Sequence, residues 1–190
     1  MSEPVTVLNG AVAHEGLSVR IEDLGPVGQI TLRGDLAAPD LQGVVYEIAG
    51  VGVPAPLSAA FDGTRGALWM SPDELLILTA YDAAGPAIAR IGEALAGTHH
   101  MAEDVSDART LVRITGAGAQ ELMAKGAPLD VSDAAFPVGT MRRTHFAEIA
   151  VGIWRRDDMT WEMMCLQSFG QHLFDWLAAS SLEGARVNYF

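Results

Sequence analysis

The chain predicts an α+β protein made of a duplicated strand–helix–strand–strand–helix unit with a mostly antiparallel sheet. Three observations carry that expectation. Short apolar runs of strand type alternate with stretches of helical spacing along 190 residues. The element order over about residues 28–97 recurs over about 110–180. Matching landmarks recur at a near-constant offset: Gly34 and Gly116 are 82 residues apart, Trp69 and Trp154 are 85 apart, and Ile88 and Leu173 are again 85 apart.

Residues 1–17 mix Pro, Gly, Asn and Glu with scattered apolar positions and read as an extended N-terminal arm. Such a segment either frays or orders on a partner. Residues 18–180 read as one domain of two pseudo-repeats, and 181–190 as a C-terminal tail. In the first repeat, Ile30 and Leu32 alternate with Gln29, Thr31 and Arg33, the period of a half-buried strand. Residues 39–49 form a helix with Leu41, Val44, Val45 and Ile48 on one face, opened by Pro39 and closed by Gly50. Gly52, Pro54 and Pro56 then forbid regular structure.

Residues 66–70 make a strand, Ser71-Pro72-Asp73-Glu74 a turn, and 75–79 a continuous apolar strand covered on both faces. Residues 84–96 are a helix closed by Gly97. An extra strand over 99–105 separates the copies. The second repeat has a strand at 110–116, a helix at 118–125, a loop at 128–139, paired strands at 148–154 and 159–167, and a helix at 168–180 with Ser168 as N-cap.

Composition excludes several functions. Hydrophobic residues make up 49% and charged residues 19%, which is a packed globular composition. The net charge is −12 with a single lysine, Lys125, so the basic footprint that nucleic acid or an anionic membrane requires is missing. Residues 98–190 hold 8 of the 12 basic groups. The start carries no positive charge ahead of an apolar run, and no run is long enough to span a bilayer, so a cytoplasmic protein is expected. The one cysteine, Cys165, excludes an internal disulfide and a cysteine cage for a metal.

Few residues carry chemistry. Gly116-Ala117-Gly118 opens a helix after a strand, but no dinucleotide fingerprint follows it. The histidines fall in no metal-ligand spacing, and His99-His100 would point to opposite faces of a strand. Cys165 lies in an apolar strand and reads as a buried inert thiol rather than a nucleophile. In Asp104-Val105-Ser106-Asp107-Ala108-Arg109, Ser106 and Asp107 suit a turn between strands; Asp104 and Arg109 are also open to a ligand or subunit contact. Met141-Arg142-Arg143-Thr144-His145 is the densest basic spot: a solvated strand end, a partner interface or an anion site. Adjacent strand residues face opposite ways, so at most one of Arg142 and Arg143 is buried in an interface.

Four phrases together resemble a known family. They are Trp69-Met70-Ser71-Pro72-Asp73-Glu74-Leu75-Leu76, Asp104-Val105-Ser106-Asp107-Ala108-Arg109-Thr110, Phe136-Pro137-Val138-Gly139-Thr140-Met141-Arg142-Arg143-Thr144, and Ser168-Phe169-Gly170-Gln171 followed by Asp175-Trp176-Leu177. In this order they resemble the gamma subunit of heterotetrameric sarcosine oxidase. That family is similar to the folate-binding domain of the glycine-cleavage aminomethyltransferase, and Ile114-Thr115-Gly116-Ala117-Gly118-Ala119 looks like its equivalent there. The resemblance covers that enzyme's folate-binding domain and not its C-terminal barrel, and the Lys-Gly-Cys-Tyr phrase of the iron–sulfur repair branch does not occur among these residues.

The resemblance implies a non-catalytic subunit with alpha, beta and delta partners. The complex it implies demethylates sarcosine oxidatively to glycine, with hydrogen peroxide and formaldehyde or methylene-tetrahydrofolate. FAD, FMN, NAD, tetrahydrofolate and zinc are expected in the partner subunits, and no cofactor, catalytic or metal residue in this chain. Asp104, Arg109, Arg142, Arg143 and Thr144 are the expected interface or ligand contacts. The alternative is a stand-alone folate-binding or one-carbon-transfer protein.

Overall fold

The computed structural model describes residues 4–15 and 17–188; residues 1–3 and 16 of the expected arm and 189–190 of the expected tail lie outside the described residues. The chain opens with β1 (Val12–Glu15) and β2 (Val19–Asp23). Next come β3 (Val27–Arg33), α1 (Pro39–Ala49), β4 (Ala59–Asp62), β5 (Arg65–Ser71), β6 (Glu74–Ala80), α2 (Ala84–Ala94) and β7 (Met101–Asp104). The remainder supplies β8 (Arg109–Thr115), α3 (Ala119–Gly126), β9 (Met141–Phe146), β10 (Ile149–Arg155), β11 (Thr160–Leu166) and α4 (Gly170–Ser180). These form two compact units. One comprises residues 26–107, and the other joins the segment before Pro26 to the segment from Ala108 onward.

The unit of residues 26–107 holds a five-stranded antiparallel sheet in the order β4-β5-β6-β3-β7. Helix α1 forms as its sequence dictates. Pro39 occupies the first turn, Leu41, Val44 and Val45 are buried, and Gly50 ends the helix at φ 72°, its N–H donating to the Tyr46 carbonyl. With Ile91 of α2, these side chains cover Ile30, Leu32, Leu75 and Ile77 of the central strands. In β6 every residue from Glu74 to Thr79 is buried, as a continuous apolar strand requires.

The other unit holds a six-stranded antiparallel sheet in the order β1-β2-β8-β11-β10-β9. Its core gathers Ile21, Val112, Ile114, Trp161 and Met163 from the sheet with Leu122, Leu173 and Leu177 from α3 and α4. Leu8 and Leu17 from the N-terminal segment are buried in it as well. The Asp23 carboxylate ties that segment down, accepting from the Thr6 hydroxyl and, at 3.0 Å, from the Gly10 amide.

The duplication is visible in the register. Ile30 pairs with Ile77 across β3 and β6, and Val112 pairs with Met163 across β8 and β11, at offsets of 82 and 86. Beyond the strands the sequence predicts, the unit of residues 26–107 adds β4 and the other unit adds β1, β2 and β9; β4, β1 and β9 lie at sheet edges. Strands β7 and β2 hold matching places beside β3 and β8.

The register corrects the expected equivalence of Trp69 and Trp154. Leu68 pairs with Ala59 and Leu76, and Trp154 pairs with Met141 and Glu162, so Trp154 stands where Leu68 stands. A one-residue slip reverses the face of a strand residue. Trp69 pairs with Leu75, on the face that carries Ala67, whereas Trp154 lies on the face opposite Ile153 and is fully buried. Likewise α2 and α4 start 86 residues apart, which sets Leu173 against Ala87 rather than Ile88. Ser168 does not cap α4; a 3-10 turn over Gln167–Phe169 leads into that helix without a side-chain cap.

Candidate functional site

Arg142, Arg143 and Thr144 lie on β9, the edge strand of the six-stranded sheet. Alternation turns Arg142 and Arg143 to opposite faces. Arg142 is half-buried, its guanidinium carbon 5.6 Å from the centre of the Phe136 ring, and it donates to the Met141 carbonyl at 2.8 Å. Arg143 is exposed, as is His145, two residues further along the same face. The sequence pattern presents this stretch as a lead into a strand; it is a strand in its own right.

The Phe136-Pro137-Val138-Gly139-Thr140 loop is anchored from beneath by an arginine that the sequence reading leaves between the paired strands at 148–154 and 159–167 and that closes β10. Arg155 is 4% exposed. Its guanidinium donates to the Asp133 carboxylate at 2.7 Å and to the Phe136 carbonyl at 3.1 Å, and lies 5.4 Å above Trp161. Phe136 stacks on Trp161 with ring centres 4.9 Å apart. The loop thereby presents a fixed surface beside β9, held by charge-assisted bonds and ring packing together.

On the other face of the same sheet lies a second cluster that sequence reasoning misses. Glu162 is 1% exposed. One of its oxygens accepts from Arg113 Nε at 2.9 Å and Nη2 at 2.6 Å, and the other accepts from Trp154 Nε1 at 2.6 Å. Arg156 Nη1 lies 3.8 Å from that second oxygen; burial pushes the Arg156 guanidinium below its usual range, and Glu162 pulls it back. The equivalent positions in the other unit are Thr31, Leu68 and Leu76. The two copies therefore fill one structural place with opposite chemistry. The signal is present as a glutamate inside an apolar strand, Trp161-Glu162-Met163-Met164-Cys165.

Asp104 and Arg109 sit at strand ends. Asp104 closes β7 and accepts from the Ser106 amide at 2.9 Å and from its hydroxyl; Ser106 Oγ in turn accepts from the Gln29 amide at 2.9 Å. The Tyr81 hydroxyl donates to Asp107 at 2.9 Å. The phrase thus ties β7 to β3, the local role its residue types suit. Arg109 opens β8, and β11 and β10 separate it from β9, so the structure does not bring it together with Arg142 to Thr144.

The other chemical motifs resolve structurally. Burial pushes the Cys165 thiol up to about 11, opposite to what a nucleophile needs. At Gly116-Ala117-Gly118 the N-terminal segment passes close by: a Cβ on Gly116 would meet the Ser18 carbonyl oxygen at 2.1 Å, and one on Gly118 the Leu17 carbonyl oxygen at 2.0 Å. The glycines serve backbone approach, not phosphate. His99 and His100 precede β7 rather than lying in it, and line an open cleft with Arg33, Asp35 and Asp73. Among the described residues no group of three or more His, Cys, Asp or Glu side chains is placed to hold a metal ion, and no helix is long and apolar enough to cross a membrane.

Comparison with known proteins places this fold. The model of the sarcosine oxidase, gamma subunit family matches residues 33–183. The sarcosine oxidase subunit gamma of Corynebacterium sp. (strain U-96) is 28% identical over 181 residues, covering 92% of this chain and 87% of that one. Among solved structures, a chain of the heterotetrameric sarcosine oxidase from Corynebacterium sp. U-96, in complex with pyrrole 2-carboxylate, superposes with a TM-score of 0.81 at 24% identity, over 94% of this chain and 91% of that chain. The glycine cleavage system aminomethyltransferase T from Bartonella henselae shares the fold at a TM-score of 0.61 and 12% identity, over 88% of this chain and 47% of that chain. With its matched region spanning most of its length, the chain belongs to the sarcosine oxidase gamma subunit family.

Proposed function

We propose that the chain is a non-catalytic subunit of a heterotetrameric sarcosine oxidase. In this reading it supports the oxidative demethylation of sarcosine to glycine, with hydrogen peroxide and formaldehyde or methylene-tetrahydrofolate as the other products. FAD, FMN, NAD, tetrahydrofolate and zinc belong to the alpha, beta and delta partners. The observation that carries the reading is the family match over residues 33–183, supported by the TM-score of 0.81 to a chain of that heterotetramer. The chain's own polar clusters favour a structural part. Arg155 and Glu162 spend their hydrogen bonds on holding a loop and a sheet. Arg142, Arg143 and Thr144 supply the subunit contact, with Asp104 and Arg109 as further contacts.

Co-expression with the other three subunits tests the reading. The chain co-purifies in equal stoichiometry, and the purified chain alone, supplied with free flavin, produces no peroxide from sarcosine, because a hydride acceptor must come from a bound cofactor. Peroxide from the isolated chain, or failure to co-purify, overturns it. The fold shared with the aminomethyltransferase raises a second reading, a stand-alone folate or one-carbon protein; saturable binding of tetrahydrofolate to the isolated chain is the result that favours it.

A further inference from the structure

The geometry of β9 points to a specific mode of assembly. We propose that the open edge of β9 receives an extended acidic segment of another subunit as an added strand; this rests on the subunit reading above and goes beyond it. Among the described residues no strand lies on the far side of β9.

The ladder fixes which groups face outward. The Arg155 amide donates to the Thr140 carbonyl at 3.1 Å, in register with the pairs Arg142–Ile153 and Thr144–Val151. Residues of an antiparallel pair alternate between exchanging both backbone bonds and exchanging none. The backbone groups of Arg142, Thr144 and Phe146 therefore turn to β10, and those of Met141, Arg143 and His145 turn to the open edge. The Arg142 guanidinium already covers the Met141 carbonyl. With the Met141 N–H, that leaves the N–H and C=O groups of Arg143 and His145, two residues apart, which is the spacing an added strand engages.

Charge selects the occupant. Residues 141–147 carry Arg142, Arg143 and His145 and no acidic group, on a chain of net charge −12; Glu148 follows in the hairpin turn. An acidic extended segment is complementary to this edge. A second copy of the same chain is not: antiparallel pairing of β9 with itself sets Arg143 beside Arg143 or His145, and like charges directly opposite are destabilising. Arg142 is pre-positioned over Phe136, so the edge needs little ordering on binding.

Residue-resolved hydrogen exchange on the full chain, alone and in the co-purified complex, tests this. Alone, the amides of Arg142 and Thr144 are protected and those of Arg143 and His145 exchange freely. In the complex, Arg143 and His145 slow by at least about tenfold, so the alternation disappears. Arg143→Pro, which removes an outward N–H that no sheet bond uses, leaves the free chain folded and lowers recovery of the complex; Arg143→Ala lowers it less. Unchanged exchange at Arg143 and His145 in a complex that does assemble overturns the edge proposal while the subunit reading stands. Protection that appears in the isolated chain as its concentration rises assigns the edge to a second copy and also overturns it. Failure of the complex to form overturns both.

Discussion

Arg113 Nε and Nη2 both donate to one oxygen of Glu162, across the pairing of β8 with β11. The bond occupies the place where Thr31 and Leu76 pair in the other unit. Burying a carboxylate carries a desolvation penalty that its partners offset, and removing one member of the pair leaves the other charge uncompensated.

Glu162→Leu is therefore expected to destabilise the chain by about 3 kcal/mol, because it removes the acceptor that Arg113 and the Trp154 indole share. Arg113→Thr combined with Glu162→Leu, which copies the other unit, is expected to cost less than Glu162→Leu alone. Urea midpoints of the three proteins check this. A double variant less stable than the single one contradicts the account.

Cys165 gives a pH dependence. Burial raises its thiol to about 11 from an ordinary value of 9.0, so the folded state holds the proton more tightly than the unfolded chain. The contribution is complete below about pH 9 and is lost as pH rises toward about 11; a rise of that size corresponds to roughly 3 kcal/mol. Cys165→Ala removes this component, so stability measured from pH 8.5 to 11 falls less steeply in the variant. Parallel curves for the two proteins rule the linkage out.

Much of the fold is legible because its central strands are continuous apolar runs punctuated by Gly and Pro: β3, β5, β6, β8, β10 and β11 all appear where hydrophobicity places them. The strands that hydrophobicity does not reveal are short or lie at sheet edges. In β2, Val19 and Ile21 are separated by Arg20, with Glu22 and Asp23 following, a charged pattern with only two inward residues. Strands β4 and β9 hold sheet edges, where among the described residues one side of the ladder has no partner strand and apolar content drops. The tryptophan equivalence fails by one residue because matching residue identity stands in for pairing register, and only register decides. The Glu162 cluster shows in the sequence only as a glutamate inside an apolar strand: its members Arg113, Trp154 and Glu162 come from three strands, and only the register aligns them.

The two arginines of β9 are expected to separate under mutation. Arg142→Ala removes the stack on Phe136 and the bond to the Met141 carbonyl, and should lower stability by about 1 kcal/mol. Arg143→Ala changes stability by less than about 0.5 kcal/mol, since its side chain is exposed. Thermal melts of the free variants, compared with recovery of the complex, distinguish the two roles. Equal effects of both variants on stability contradict the assignment.

Glycine substitutions should divide by what surrounds them rather than by backbone angle. Gly118 has φ −89°, a conformation any residue adopts, yet a Cβ there would sit 2.0 Å from the Leu17 carbonyl oxygen and 2.9 Å from its side chain. Gly118→Ala must push the N-terminal segment away from α3, exposing Leu17 and breaking the bond from its amide to the Ser181 carbonyl at 3.0 Å. A loss of about 3 kcal/mol or more is expected, with residues 17–23 becoming the first site of proteolysis. Gly92 provides the contrast, lying inside α2 with nothing within 4 Å of its added Cβ. Gly92→Ala there should raise stability by about 0.5–1 kcal/mol, through reduced freedom of the unfolded chain. If Gly118→Ala is as harmless as Gly92→Ala, the N-terminal segment does not pack on α3 as tightly as the structure places it, and the Gly-x-Gly phrase must have another use.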